Sequence, residues 1–270
     1  MNALDTLLQA VLQGLTEFLP VSSSGHLVIF QDLFRVQQPH LLMDVCLHGG
    51  TFLAVVIYFW KDLAGMAVSV ATRPFDLGRE RTNEFWKIAA ASIPTGLIGI
   101  IVQKKFGFVF ESLPVVLAFL TVTAVLLFIS DFLRQGTKSV KELSWGGALL
   151  VGVFQGIAVL PGISRSGSTI TGGIAAGLDR VAAGRFSFLI GIPAMIGAIC
   201  LEALDLKAAG IPGEFWIHAV LAIAVACVLA LFTIRLLFWV LKKVRMRYFS
   251  LYLAALVAVV VIIKKATGGW

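Results

Sequence analysis

Charge is what this sequence has least of. Only 14% of its 270 residues are Asp, Glu, Lys or Arg, and 59% are hydrophobic. Soluble domains carry about 25% charged residues, so the composition excludes one and points to an integral membrane protein. No stretch alternates apolar and polar residues over strand-like lengths, which leaves helices as the spanning elements. The first twenty residues contain no Lys or Arg, yet include Asp5 and Glu17. A cleavable signal needs a basic start, so the N-terminus is expected to be retained. Cysteine is scarce too: Cys46, Cys200 and Cys227 all lie in apolar runs. They read as small hydrophobes of a helix bundle rather than disulfide partners or metal ligands. There is no low-complexity tail, linker or extramembrane domain. The net charge of +7 would suggest nucleic acid in a soluble protein. Basic cytoplasmic loops and anionic headgroups account for it here, and no nucleic-acid partner is expected.

What the chain does have is uncharged runs. Val45–Phe59, Ile88–Gln103, Ser112–Ser130, Phe186–Leu201, Phe215–Ile234 and Tyr248–Ile263 predict six spans, since a crossing needs about 20 residues with its flanks. Trp60, Trp86, Trp216, Trp239 and Tyr248 fall near the span ends, as an interfacial aromatic belt would. The one long loop expected is Lys61–Lys87.

Two further apolar stretches are cut in the middle by Pro, Gly and Ser, and the cuts are copies of one another. Gln13 to His26 reads Gln-Gly-Leu-Thr-Glu-Phe-Leu-Pro-Val-Ser-Ser-Ser-Gly-His, and Gln155 to Ser168 aligns with it without a gap. Gln, Gly, Ser, Ser and Gly are identical, while Ser23 is matched by Arg165. An ungapped offset near half the chain length predicts an internal repeat. The flanking pieces, Leu7–Leu19 with Ser24–Phe30 and Trp145–Leu160 with Ser166–Leu178, are too short for full spans and read as re-entrant helical hairpins. The expected fold is therefore an all-α polytopic membrane protein. It has two repeats, 1–142 and 143–270, each a re-entrant hairpin plus three transmembrane helices. Three crossings per repeat make the second copy inverted relative to the first.

Basic residues orient this arrangement. Of the 22 Lys and Arg, Arg165 lies in a hairpin and Arg235 near a span end; Arg35, Lys104, Lys105, Lys207, Lys264 and Lys265 share one side, leaving fourteen on the other. That bias puts the fourteen in the cytoplasm, and both termini and the entrance of the first hairpin outside. The two hairpin tips are then expected to meet near the bilayer midplane.

The tips hold the chemistry. Ser22, Ser23, Ser24 and Gly25 open one helix; Ser164, Arg165, Ser166, Gly167 and Ser168 open another. Helix N-termini are anion sites, glycine permits close backbone approach, and an arginine fork suits phosphate. Helix capping alone would explain one such Ser-Gly run, but an arginine at membrane depth also needs an anionic partner. Glu17 lies one turn after Gln13 on the same helix face. It is either an ion-pair partner of Arg165 or a carboxylate for a proton or a divalent cation. His26, within one turn of Ser23, is placed to deprotonate it or to protonate a leaving oxygen. His40, His48 and His218 have no comparable neighbours. Acid, imidazole, hydroxyl and guanidinium together suggest phosphoryl transfer. Inverted repeats with broken helices are equally a transporter architecture, so a transporter or flippase for an anionic lipid is the alternative.

At these residues the sequence resembles the undecaprenyl-diphosphate phosphatase family, also called bacitracin-resistance proteins. The signatures are Gln13-Gly-Leu-Thr-Glu-Phe-Leu-Pro-Val-Ser-Ser-Ser-Gly-His26 and Pro161-Gly-Ile-Ser-Arg-Ser-Gly-Ser-Thr169, and the resemblance covers the whole chain. It implies hydrolysis of a C55 polyprenyl diphosphate to the monophosphate, recycling the lipid carrier of peptidoglycan synthesis in the bacterial plasma membrane. It implies a pocket facing outside and support by a divalent cation, Mg²⁺ or Ca²⁺. Position by position, Glu17, Ser23, His26 and Arg165 match the family's essential residues, with Ser23 the expected nucleophile and His26 its base. Gln13, Ser22, Ser24, Ser164 and Ser166 are the expected substrate-binding set, and Glu17 the expected metal ligand. Many members carry Glu where this chain has Gln13, which weakens a two-carboxylate metal site. Chain-length preference and oligomeric state stay open.

Overall fold

A computed structural model describes residues 3–36, 40–106, 112–134, 136–206 and 215–268. Eleven α-helices follow one another, and no strand forms among the described residues. Helices α1 (Ala3–Thr16) and α2 (Ser23–Leu33) make the first hairpin; α7 (Trp145–Ile157) and α8 (Arg165–Ala175) make the second. Between them run α3 (His40–Tyr58), α4 (Trp60–Thr72), α5 (Glu80–Phe106) and α6 (Leu113–Ser130). After them come α9 (Arg180–Leu206), α10 (Phe215–Lys243) and α11 (Arg247–Ala266). Among the described residues five helices are long and apolar enough to cross a membrane: Glu80–Lys105, Leu113–Ser130, Arg180–Cys200, Phe215–Lys243 and Arg247–Ala266. The pair Leu42–Tyr58 and Trp60–Thr72, bent by 71°, makes a sixth when counted as one broken span. Each expected span thus falls on a helix, and this is a multi-pass, all-α membrane protein.

The expected loop Lys61–Lys87 is a correction. Most of it is helical, as α4 and the first turns of α5. Asp62 in the first turn of α4 favours the helix through its dipole. Asp62 also binds Arg81 (2.5 Å) and Arg185 (3.0 Å), and Arg185 pairs with the buried Glu84. These bonds tie α4, α5 and α9 together at one end of the bundle. Nearby, Lys87 Nζ donates to the carbonyls of Val140 and Lys141. Asp131, past the end of α6, accepts from the first backbone N–H groups of α11, at Met246 and Arg247. Arg81, Lys87, Lys141 and Arg185, expected on one side from charge alone, lie together at this end of the bundle. Lys207, expected on the other side, lies outside the described residues.

The apolar surface divides as the spans require. Phe18, Leu120, Leu127, Ile170, Phe186, Ile190 and Leu237 are buried. Ile93, Leu97, Val220, Val228 and Ile262 of the spanning helices are exposed, as side chains facing lipid would be. Trp60, Trp216, Trp239 and Tyr248 are exposed near helix ends, where their amphipathic rings suit an interface.

The two hairpins dock alike. Helix α1 packs on α10, and α7 packs on α5, so each hairpin leans on a long helix of the other half. The repeat glycine makes both approaches: a Cβ at Gly14 would lie 2.9 Å from the Ala226 carbonyl oxygen, and one at Gly156 2.7 Å from Ile98 Cβ. The turns between the hairpin helices, however, differ. In the second, Gly162 takes the left-handed conformation at φ +93°. Its counterpart in the first is Pro20, whose ring forbids positive φ. The reversal falls two residues later, on Ser22 at φ 65°.

Candidate active site

The two tips meet. Both open with a serine cap of the same form: Ser22 Oγ accepts from the Gly25 N–H (3.3 Å), Ser164 Oγ from that of Gly167 (3.1 Å). Ser24 and Ser166 stand beside these caps at 3.3 and 3.2 Å, hydroxyl to hydroxyl. Ser166 Oγ then crosses to the Leu19 carbonyl (3.0 Å), fastening the start of α8 to the first tip. Thr123 of α6 supports the second tip, donating to the Gly162 carbonyl (2.8 Å) and accepting from the Ser164 N–H (3.1 Å).

Glu17 is the centre of the arrangement. Its Oε2 accepts from Ser23 Oγ at 2.5 Å and from Gln13 Nε2 at 2.9 Å; its Oε1 accepts from Arg165 Nη2 at 2.8 Å. The carboxylate side chain is only 7% exposed, against 23% for that of Arg165. A nearly buried charge with one cationic partner and two neutral donors is satisfied, and Arg165 keeps an open edge. Gly191 of α9 faces that guanidinium: a Cβ there would lie 3.3 Å from Arg165 Nη1. The starts of α2 and α8 bring two positive dipole ends to the same place. Carboxylate, hydroxyl and guanidinium in direct contact can take a proton from an alcohol while holding an anion beside it.

His26 stands apart from Ser23. The expected Ser23–His26 pair is replaced by Ser23–Glu17, because both imidazole nitrogens are engaged elsewhere. Nδ1 lies 2.8 Å from the Ser22 carbonyl oxygen, and Nε2 lies 2.8 Å from the Tyr252 hydroxyl of α11. A carbonyl only accepts, so Nδ1 carries the proton, and neutral Nε2 accepts from the phenol. All nine expected site residues therefore gather at the tips, but with Glu17, not His26, on the Ser23 hydroxyl. Sequence reasoning missed Tyr252, Thr123 and Gly191. Only the polarity of Tyr252 and Thr123 within apolar spans could have flagged them.

Of hard oxygen donors, Glu17 has Gln13 Oε1 beside it, a buried acceptor without a hydrogen-bond partner. Among the described residues no group of three His, Cys, Asp or Glu could hold a metal ion. The donors present suit a cation that arrives with a phosphate ligand, not one caged by protein alone.

A polytopic membrane protein whose two helical hairpins meet in a carboxylate–hydroxyl–guanidinium centre is the class that fold and site define. Comparison with known proteins makes that class specific. Residues 6–259 match the family described as bacitracin resistance protein BacA, and the chain belongs to that family. A relative from Halothermothrix orenii, named undecaprenyl-diphosphatase, is 39% identical over 242 residues, covering 90% of each chain. One of the same name from Desulfosudis oleivorans is 47% identical over 216 residues, 76% of this chain and 79% of its own. A third from Thermomicrobium roseum, again so named, is 37% identical over 275 residues, 97% of this chain and 98% of its own.

Proposed function

We propose that this protein is a membrane phosphatase that hydrolyses undecaprenyl diphosphate to the monophosphate, recycling the lipid carrier of peptidoglycan synthesis and so conferring bacitracin resistance. The observation that carries the reading is the Ser23–Glu17–Arg165 contact, because a carrier or flippase of an anion needs no hydroxyl hydrogen-bonded to a carboxylate. The names of the relatives supply the substrate. Its isoprenoid tail lies along the apolar helices while the diphosphate reaches the tips.

In this mechanism Ser23 Oγ attacks the terminal phosphorus as its proton passes to Glu17. The new Ser–O–P bond forms as the anhydride P–O bond breaks, and the lipid monophosphate leaves. Glu17 gives that proton to the departing monophosphate; water then attacks the phosphoserine, giving a proton to Glu17, which returns it to the Ser23 oxygen as the Ser–O–P bond breaks and inorganic phosphate leaves. Arg165 and the starts of α2 and α8 hold the phosphoryl oxygens throughout; Ser22, Ser24, Ser164 and Ser166 shape that cradle. Glu17 and Gln13 Oε1 would hold a divalent cation together with diphosphate oxygens, and its chemistry would be to neutralise phosphate charge.

The purified protein is expected to release phosphate from undecaprenyl or farnesyl diphosphate in detergent. No release, with or without Mg²⁺ or Ca²⁺, sinks the enzyme reading. Chelation should lower the rate at least about tenfold, with recovery on adding back either ion; an unchanged rate rejects the cation. Ser23→Ala should lower turnover by roughly a thousandfold or more. A loss under tenfold would make water, activated by Glu17, the attacking group.

The membrane arrangement is part of the same proposal. Repeats 1–142 and 143–270 are inverted relative to one another, both termini lie outside, and the tips open to the outer face of the bacterial plasma membrane. The fourteen-to-six charge bias and the reciprocal docking of α1 on α10 and α7 on α5 support it.

A further inference from the structure

From the geometry we infer that Tyr252 is a positioning residue: its hydroxyl holds the His26 ring so that the ring fixes the Ser22 turn, and the turn aims Ser23 at Glu17. This rests on the phosphatase reading only for what Ser23 does; the hydrogen-bond chain itself does not depend on it.

The chain runs across 226 positions of sequence. Tyr252 lies on α11, in the second half, and its Oη is 2.8 Å from His26 Nε2. The two ring planes are nearly parallel, 7° apart, with centroids separated by 5.8 Å. The Ser22 carbonyl only accepts, so Nδ1–H donates to it at 2.8 Å, and Nε2 is left to accept from the phenol, which holds the far side of the ring. The same carbonyl accepts from the His26 backbone N–H at 3.2 Å. Two donors on one oxygen hold the Ser22 peptide where its φ is 65°, a conformation a non-glycine residue keeps only when its surroundings impose it. Ser23 follows at once, with its hydroxyl 2.5 Å from Glu17.

The second hairpin is an internal control. Its counterpart of His26 is Ser168, which bonds the Ser164 carbonyl through its backbone N–H alone, at 2.9 Å. Ser164 there has the ordinary φ of −69°. The cap serine with an imidazole on its carbonyl has a positive φ, and the cap serine without one does not. Pro20 displaces the reversal to Ser22, and His26 with Tyr252 holds it there.

Two readouts on the full-length protein in detergent test this. The first is ¹⁵N NMR of histidine-labelled protein, with the His26 signals assigned by subtraction in His26→Asn. Wild type should show His26 protonated at Nδ1 and bare at Nε2, and Tyr252→Phe should shift Nε2 toward the value of an unbonded imidazole nitrogen. The second is steady-state kinetics on farnesyl diphosphate. Tyr252→Phe should lose kcat about ten- to a hundredfold, as expected when a reacting group is misaimed, with KM within twofold. Tyr248→Phe, one turn earlier and exposed, should leave both readouts unchanged. An Nε2–H tautomer in wild type, an unmoved His26 signal in Tyr252→Phe, or kcat within twofold overturns the inference. A wild type without activity but with the expected NMR signature would strike the phosphatase reading and leave the hydrogen-bond chain standing.

Discussion

Replacing Glu17 with glutamine is expected to lower kcat by about a thousandfold, the range lost when a general base is removed. The argument is one of satisfiability. Three donors converge on the two oxygens of Glu17, from Gln13, Ser23 and Arg165. A glutamine keeps one oxygen and turns the other into an NH₂ group that must point at one of those donors. The best compromise leaves the oxygen on Arg165 and the new amide against Gln13 and Ser23, so the Ser23 hydroxyl loses its acceptor. The amide is also no base, so the proton of the attacking hydroxyl has nowhere to go. The loss should appear in kcat, with phosphate release measured at saturating farnesyl diphosphate. Stability should suffer less, by about 1 kcal/mol, because the charged pair with Arg165 becomes a neutral hydrogen bond while Gln13 can turn its unpartnered Oε1, and Ser23 its hydroxyl oxygen, toward the new amide. Arg165 is partly exposed, which keeps the figure below the full cost of an isolated buried charge. Turnover within tenfold of wild type would show that Glu17 is only the structural partner of Arg165.

Much of this site was legible in the sequence, because it is written locally. The hairpins announce themselves as apolar runs broken by Pro, Gly and Ser, and the copy at Gln155 shows that the break is built rather than accidental. What a break does not reveal is where the backbone turns. Pro20 and Gly162 occupy matching positions, yet only Gly162 can be left-handed, and the shift to Ser22 re-aims everything after it. The spacing of Ser23 and His26 suggested a nucleophile and its base. The imidazole instead turns back to the Ser22 carbonyl, four residues behind it, and Ser23 faces Glu17. Its other partner, Tyr252, is out of reach of any periodicity argument, because an apolar span tolerates a tyrosine for many reasons. Helix α4 was hidden for the opposite reason: its mixed charges read as a loop, when Asp62 and Arg81 are in fact pairing across α4 and α5. The Glu17–Arg165 pair lies between these cases. Each member was conspicuous alone, as a charge in an apolar segment, and each needed a partner of the other's sign.

The contact between Glu17 and Arg165 admits two meanings, and Arg165→Lys separates them. If the pair only joins the hairpins, a lysine ammonium can take the place of Nη2 against Glu17, and activity should follow the fraction of folded protein. If Arg165 also grips phosphate, lysine must fail. The guanidinium spends one nitrogen on Glu17 and still offers donors along an open edge; an ammonium held by Glu17 has no second, fixed direction to offer. The expected loss is about a hundred- to a thousandfold in kcat/KM, comparable to removing one preorganised donor from a transition-state oxyanion. Melting temperature should move by only a few degrees, since charge and approximate reach are kept. The space around the group sharpens the contrast. Gly191 leaves room for a flat, wide cation beside α9, and a lysine would leave that room unfilled while gaining nothing in reach. Activity within fivefold of wild type at unchanged stability would reduce Arg165 to a tie between the two tips. A loss that tracks kcat/KM with the fold intact makes it the phosphate clamp, and explains why the second hairpin carries arginine where the first carries Ser23. One tip then supplies the nucleophile and its base, the other the charge that receives the phosphate, and neither can work without the other.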